Sequence, residues 1–260
     1  MQRMTETGLP YFQFETFPPG QTHAVFTRLG GVSEAPFASL NLSSSVADSA
    51  ANLRTNRQRA YGALGYGTET LVHAHLVHGA GVVRVTTAQG GQVAGQVDGL
   101  ITNEPGCGLT MNYADCAPIL LVDARRGAIG LGHAGWQGAV QDLPGAMVRA
   151  MAAAFGSDPG DLVAGIGPCI GACCYEVDEP VISAVRMAFA DEAALLLAQP
   201  GKRRPHFDLA AANEENLRRA GVWRVENAGI CTACRTDLFF SHRAEKGKTG
   251  RFGVLLALPE

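Results

Sequence analysis

The chain carries little charge. Only 17% of its 260 residues are Asp, Glu, Lys or Arg, and the net charge is -3. The densest basic run, Lys202-Arg203-Arg204, is too short for a nucleic-acid footprint, so no nucleic-acid partner is expected. No run of about 18 apolar residues occurs, so no membrane span is expected. The opening stretch MQRMTETGLPYFQFETFPPG has no apolar core and no small-residue cleavage site, so no signal peptide is expected. Internal repeats, low-complexity segments and linkers are missing as well. The longest Gly/Gln stretch, Gln89-Gly90-Gly91-Gln92, is loop length. One domain over residues 1–260 follows, with 1–20 as an irregular N-terminal segment. The cysteine count is seven, an odd number that fits free thiols in a reducing cytosol better than a disulfide framework. A cytoplasmic monomer is the default expectation.

What the chain does have is apolar residues (47%) and 32 glycines, which suit buried strands joined by tight turns. Strands are expected at 23–27, 71–77, 82–86, 108–112, 117–123, 128–133, 162–166, 222–225, 238–241 and 252–256. Helices are expected at 48–64, capped by Asp48 or Ser49, and at 138–155, 180–197 and 209–220. Ala124-Arg125-Arg126-Gly127 is a hairpin-length connection, so strands 117–123 and 128–133 should pair antiparallel. Strands and helices mix without a regular βαβ rhythm. The expected class is therefore α/β, a mixed β-sheet with flanking helices.

Two short segments carry the chemistry: Ala114-Asp115-Cys116-Ala117-Pro118 and Gly132-His133-Ala134-Gly135-Trp136. An antiparallel pair places the start of its first strand beside the end of its second, so Cys116 and His133 become neighbours. Val77-His78-Gly79 offers a second imidazole. Three ligands of this kind leave a tetrahedral zinc one open position, the catalytic rather than the structural arrangement. Against this stands the plain alternative that a strand-edge Cys is a small buried hydrophobe and a His beside Gly a turn residue. Asp115 precedes the cysteine, and Asp98 lies in Val97-Asp98-Gly99-Leu100-Ile101-Thr102; either could orient an imidazole or move a proton, or simply form a turn. Arg28, in Thr27-Arg28-Leu29-Gly30-Gly31, is a candidate anion anchor or a solvated turn residue. Cys169, Cys173 and Cys174, with Cys231-Thr232-Ala233-Cys234, could form a second metal site but are expected to be buried thiols. Gly165-Ile166-Gly167-Pro168 lacks the spacing of a nucleotide fingerprint. Trp136 and Phe239-Phe240 suit either core packing or base stacking.

Taken together, Thr27-Arg28-Leu29-Gly30-Gly31-Val32-Ser33, Pro36-Phe37-Ala38-Ser39-Leu40-Asn41-Leu42, Val77-His78-Gly79, Asp98-Gly99-Leu100-Ile101-Thr102 and the Cys116 and His133 segments resemble the laccase-domain family, also called the multicopper polyphenol oxidase family. Gly167-Pro168-Cys169-Ile170, Cys174-Tyr175-Glu176-Val177, Phe239-Phe240-Ser241-His242-Arg243 and Thr249-Gly250-Arg251 extend the resemblance to roughly residues 25–255. It implies a purine nucleoside phosphorylase of a distinct type, acting on adenosine, inosine, guanosine and methylthioadenosine to give free base and ribose 1-phosphate. Adenosine deaminase activity is implied too. The family's His, Cys and His ligands fall on His78, Cys116 and His133. Its fold is likened to a toxin deamidase with a Cys-His pair, and some bacterial members are described as peptidoglycan-editing factors. A four-copper centre needs many imidazoles, whereas this chain has seven histidines and only two in matching motifs. Zinc is therefore expected before copper, and a copper polyphenol oxidase is the least favoured reading. Phosphorolysis also demands a phosphate clamp, for which Arg28, Arg243 and Arg251 are the candidates. The competing enzyme is a hydrolase with Cys116 as nucleophile and His133 as base, acting on an amide of a cell-wall precursor.

Overall fold

At the centre of the molecule, Ala117–Asp123 and Ala128–Ala134 form the expected antiparallel hairpin. Asp123 Oδ1 accepts the backbone N–H groups of Arg125 and Arg126, each at 3.0 Å, and Gly127 supplies the left-handed turn residue at φ 56°. The computed structural model describes residues 2–198, 201 and 203–258, so Lys202 of the basic run lies outside the described residues.

Numbered in chain order, the strands are β1 (Gln2–Met4), β2 (Pro10–Phe12), β3 (Thr22–Phe26), β4 (Leu71–His75), β5 (Val82–Arg84), β6 (Val93–Gln96), β7 (Gly99–Thr102), β8 (Gly108–Tyr113), β9 (Ala117–Asp123), β10 (Ala128–Ala134), β11 (Val163–Ile166), β12 (Arg224–Asn227) and β13 (Phe252–Ala257). The α-helices are α1 (Ala50–Gly62), α2 (Trp136–Val140), α3 (Leu143–Phe155), α4 (Val181–Phe189), α5 (Ala193–Leu196) and α6 (Leu209–Arg219). Among the described residues, no helix is long and apolar enough to cross a membrane.

The chain folds as α/β, but the single mixed sheet expected from the sequence is two sheets. One is seven-stranded, ordered β1-β2-β3-β13-β8-β4-β6. The other is six-stranded, ordered β12-β11-β9-β10-β7-β5. Both mix parallel and antiparallel pairs. Side-chain alternation explains the layering. Leu120 and Val122 of β9 and Ile129 and Leu131 of β10 join Leu109, Met111, Phe252 and Val254 in a core between the sheets. Ile119 and Leu121 point the other way, onto Met147 and Met151 of α3 and Leu209 and Leu217 of α6. Ala24 and Phe26 of β3 and Leu255 of β13 meet Tyr61 of α1 on the outer face of the first sheet. Strands buried on both faces read as continuous apolar runs, which hides the second sheet from a periodicity argument. Truncating a buried ring such as Phe252 to Ala is worth about 3–5 kcal/mol.

Several element boundaries differ from expectation. Residues 1–20 include β1 and β2. The helix expected over 138–155 is α2 and α3, broken at Asp142, which sits at φ 57° and caps the Gly145 N–H at 3.0 Å. Pro144 explains the break, since it offers no N–H and its ring collides with a preceding carbonyl in a continuous helix. The helix expected over 180–197 breaks at Ala190 (φ 46°). Residues 238–241 are a turn, not a strand: the Leu238 and Phe239 N–H groups both donate to Arg235 O while Phe239 and Phe240 fill the inter-sheet core. Ser49 caps α1 as expected, its hydroxyl accepting the Asn52 N–H at 3.0 Å.

Candidate metal centre and cavity

The register of β9 and β10 sets the first contact. Pro118 lies opposite His133 and Ala117 opposite Ala134, so Cys116 reaches the end of β10. His78 arrives in the loop after β4, with its own backbone in the left-handed region at φ 59°. Asp98, immediately before β7, joins the two. Its Oδ1 lies 3.0 Å from His133 Nδ1, while its Oδ2 accepts the Gly79 N–H at 2.7 Å and the Val77 N–H at 3.2 Å. The carboxylate thus orients one imidazole and shapes the turn that presents the other. The two rings meet edge to face with centroids 5.0 Å apart. The ligand atoms of His78, Cys116 and His133 all lie within 4.8 Å of one another.

Electrostatics reinforces the grouping. Burial pushes the Cys116 thiol up, but the His133 imidazolium and hydrogen bonds from both imidazoles outweigh it and bring the thiol down to about 6. Burial pushes His133 down, yet the Cys116 thiolate and Asp98 raise it to about 9. Burial also opposes ionisation of Asp98, but His133 and the two N–H donors hold its carboxyl below the usual range. The result is a paired thiolate and imidazolium backed by a carboxylate.

The donor set fits a metal ion. Two imidazoles and a thiolate are tetrahedral-zinc ligands, and the Asp98–His133 bond leaves Nε2 free to coordinate. Gly135 keeps the space beside them clear: a Cβ there would lie 3.0 Å from Cys116 Sγ and 3.4 Å from His78 Cδ2. His133 is buried, Cys116 half-buried and His78 exposed, so the cluster opens to one side. That side is a cavity of about 1160 Å³, lined among others by Arg57, Asn112, Trp136, Tyr175, Arg243 and Arg251. It exceeds the roughly 300–1,000 Å³ of ordinary small-molecule sites and has room for two reactants.

The remaining sequence-derived candidates divide. Asp115 (φ 83°) lines the cavity, but its carboxylate is engaged: Oδ1 accepts the Thr232 hydroxyl at 2.6 Å and Oδ2 the Arg243 N–H at 2.7 Å. Both Asp98 oxygens are engaged as well, one by His133 and the other by the Gly79 and Val77 N–H groups. Arg243 reaches the cavity edge, its Nη1 donating to Glu176 O at 2.8 Å and its guanidinium 5.1 Å from the Tyr175 ring centroid. Arg251 is half-buried, its Nη1 donating to Thr249 O and Gly250 O. Arg28 is not brought to the cavity. Its Nε donates to Ala38 O, its Nη1 to Thr236 O and Glu245, and it lies 4.3 Å over the Phe240 ring, all contacts of a strut between loops. Of the aromatics left open, Trp136 joins the cavity wall, whereas Phe239 and Phe240 are core.

Sequence reasoning passed over Arg57, Asn112, Tyr113 and Tyr175. Tyr113 backs the His133 ring at 5.4 Å and donates to Gly132 O at 2.9 Å. Only Tyr175 had a signal, its place beside Cys174 and Glu176 in a matching segment. The second cysteine set is not a group of buried thiols. Cys169 is buried, but Cys173 and Cys234 are exposed, and they gather with Cys174 and Cys231.

Comparison with known proteins finds relatives over nearly the whole chain. The purine nucleoside phosphorylase YlmD of Geobacillus stearothermophilus is 38% identical over 245 residues, covering 90% of this chain and 89% of the relative. A purine nucleoside phosphorylase of Deinococcus radiodurans is 37% identical, covering 98% and 96%. The crystal structure of YlmD from Geobacillus stearothermophilus superimposes with a TM-score of 0.88 at 35% identity, covering 96% of this chain and 99% of that one. Residues 22–259 match the family described as multi-copper polyphenol oxidoreductase laccase, and the chain belongs to that family.

Proposed function

We propose that this chain is a zinc-dependent purine nucleoside phosphorylase, converting adenosine, inosine, guanosine and methylthioadenosine with phosphate to free base and ribose 1-phosphate, and that it also deaminates adenosine. One observation carries the reading. The His78–Cys116–His133 cluster opens onto a cavity of about 1160 Å³ whose wall holds Arg57, Arg243 and Arg251. Relatives named purine nucleoside phosphorylase at 38% and 37% identity support it. So does the ligand set, which has too few imidazoles for a four-copper centre.

When bound, zinc supplies Lewis acidity and brings the pKa of water toward neutral. The protein residues do the rest. Asp98 fixes His133 with Nε2 facing the cluster, and Gly79 and Val77 hold Asp98 in turn. Arg251 and Arg243 supply the positive charge that receives phosphate. In phosphorolysis a phosphate oxygen forms the bond to ribose C1′, the C1′–N bond breaks, and its electron pair leaves with the purine, which takes up a proton. In deamination water adds at C6 of adenine and ammonia leaves. Trp136 and Tyr175 form the apolar wall for the base. The reaction belongs in the cytoplasm, where nucleosides and phosphate are both present.

A second reading has its own support. Cys116 at about 6, paired with a His133 that Asp98 backs, is also the order of a thiol hydrolase with the sulfur as nucleophile, acting on an amide of a cell-wall precursor. A thiolate bound to zinc is a poor nucleophile, so metal dependence separates the two. Purified protein is assayed with adenosine and phosphate by chromatography of the products, before and after chelation and after zinc return. Activity lost on chelation and restored by zinc is the expected result. Turnover that survives complete metal removal would overturn it in favour of the thiol.

A further inference from the structure

We propose that Cys173, Cys174, Cys231 and Cys234 bind a structural zinc ion as four thiolates, apart from the His78–Cys116–His133 centre. The four Sγ atoms lie within 4.8 Å of one another. Cys173 and Cys174 approach Cys234 at 3.5 and 3.4 Å. A tetrahedral zinc with Zn–S bonds of about 2.3 Å has sulfurs about 3.8 Å apart, so the shell needs only small adjustments.

Local backbone explains how sulfurs so distant in sequence converge. The Cys174 and Tyr175 N–H groups both donate to Gly171 O, closing a tight turn that carries Cys173 and Cys174. The Arg235 N–H donates to Cys231 O, one helical turn that puts Cys231 and Cys234 on one side. Cys169 and Cys231 then pair as a parallel bridge, with the Thr232 N–H donating to Cys169 O at 3.0 Å and the Cys169 N–H to Ile230 O at 3.2 Å. This bridge sets the two turns face to face. The Gly171 N–H donates to Cys231 Sγ at 3.2 Å, the type of backbone donor that supports a thiolate ligand.

A disulfide is the competing use of these thiols, and the geometry favours the metal. A disulfide joins two sulfurs at about 2.05 Å, well short of the 3.5 and 3.4 Å that separate Cys234 from Cys173 and Cys174. Here all four are free and mutually in reach, one of them within hydrogen-bond range of two others. With four protein ligands the shell is closed, which is the structural rather than the catalytic pattern. On binding, the four thiols release their protons to solvent and no electrons move.

The ion would brace the cavity wall. Tyr175 and Glu176 follow Cys174 directly, and Glu176 O receives Arg243 Nη1. Thr232, between the paired cysteines, donates to Asp115, whose other oxygen receives the Arg243 N–H. Two wall segments are thus held through one clamp.

The test is metal stoichiometry on the full chain produced with zinc. Wild-type protein should hold two equivalents, and Cys116→Ala and the Cys231→Ser/Cys234→Ser double variant one each. Because the double variant could fail to fold, Co2+ is also exchanged into Cys116→Ala protein, which should show the charge-transfer absorption of a four-thiolate site. That variant lacks a ligand of the other centre, so its spectrum reports the four cysteines alone and the two assignments fail separately. One equivalent in wild type with none in Cys116→Ala overturns the proposal. A disulfide among the four cysteines in protein prepared under reducing, anaerobic conditions also overturns it.

Discussion

Asp98 reaches His133 through one oxygen, at 3.0 Å, and holds the turn carrying His78 through the other. Both imidazoles of the cluster therefore depend on one carboxylate that is itself fully buried. Asp98→Asn keeps the shape but loses a strong acceptor. The new NH2 must face either His133 or the Gly79 and Val77 N–H groups, and each choice removes a bond. Loss of such an outer partner weakens metal binding by roughly 10- to 100-fold. Competition with a zinc chelator should show that drop in a protein whose circular dichroism is unchanged. Wild-type affinity in the variant would refute the orienting role.

The Cys116–His133 pairing was readable because two apolar runs joined by a four-residue connection predict an antiparallel hairpin, which places the start of one strand beside the end of the other. His78 was not placed by any such rule. Its contact is made by Asp98 across 19 to 21 residues, and only the fold brings that carboxylate round. The two-sheet layering was hidden because both faces of β9 are apolar. The break before Pro144 was written in the sequence, since proline cannot continue the helix begun at Trp136. The gathering of Cys173 and Cys174 with Cys234, some 60 positions on, rests on the bridge at Cys169 and Cys231, which no local pattern reveals.

Gly135 tests whether the free space beside the cluster matters. Its backbone, φ -80° and ψ -172°, suits alanine, so Gly135→Ala acts through its Cβ alone. That carbon would crowd Cys116 Sγ and His78 Cδ2. Metal retention and turnover should both fall at least tenfold while the thermal midpoint stays within a few degrees. Gly138→Ala is the control, since its Cβ meets nothing nearer than Gly79 O at 3.4 Å. Equal metal retention in the two variants would refute the steric argument.

Arg28 and Arg251 should fail in different ways. Arg28 is committed to Ala38 O, Thr236 O and Glu245, and its side chain is only 14% exposed. Removing it leaves those acceptors unpaired, a loss of about 2–3 kcal/mol. Arg28→Ala should lower the denaturant midpoint and leave the phosphate KM unchanged. Arg251 lines the cavity, so Arg251→Ala should raise the phosphate KM by tenfold or more with a smaller effect on adenosine deamination. A selective phosphate defect in Arg28→Ala would restore the anion-anchor role to that residue.

The pairing of Cys116 with His133 makes reactivity and stability respond differently to pH. In protein stripped of metal by a chelator, the Cys116 thiolate forms above about 6 rather than near the ordinary 9.0. Iodoacetamide labelling of Cys116, followed by peptide mass spectrometry, should therefore rise through about pH 6. Stability should not follow it. From pH 6 to 9 the folded Cys116 holds fewer protons than the unfolded one, which raises stability with pH. From 6.5 to 9 the folded His133 holds one more, which lowers it. Folded and unfolded forms of the pair thus bind equal numbers of protons across most of that window, and the two slopes cancel. Urea midpoints should differ little between wild type and Cys116→Ala/His133→Ala in how they vary from pH 6.5 to 8.5. A labelling inflection near 9, or a pH slope in stability that the double variant abolishes, would show that the thiolate–imidazolium pair does not form.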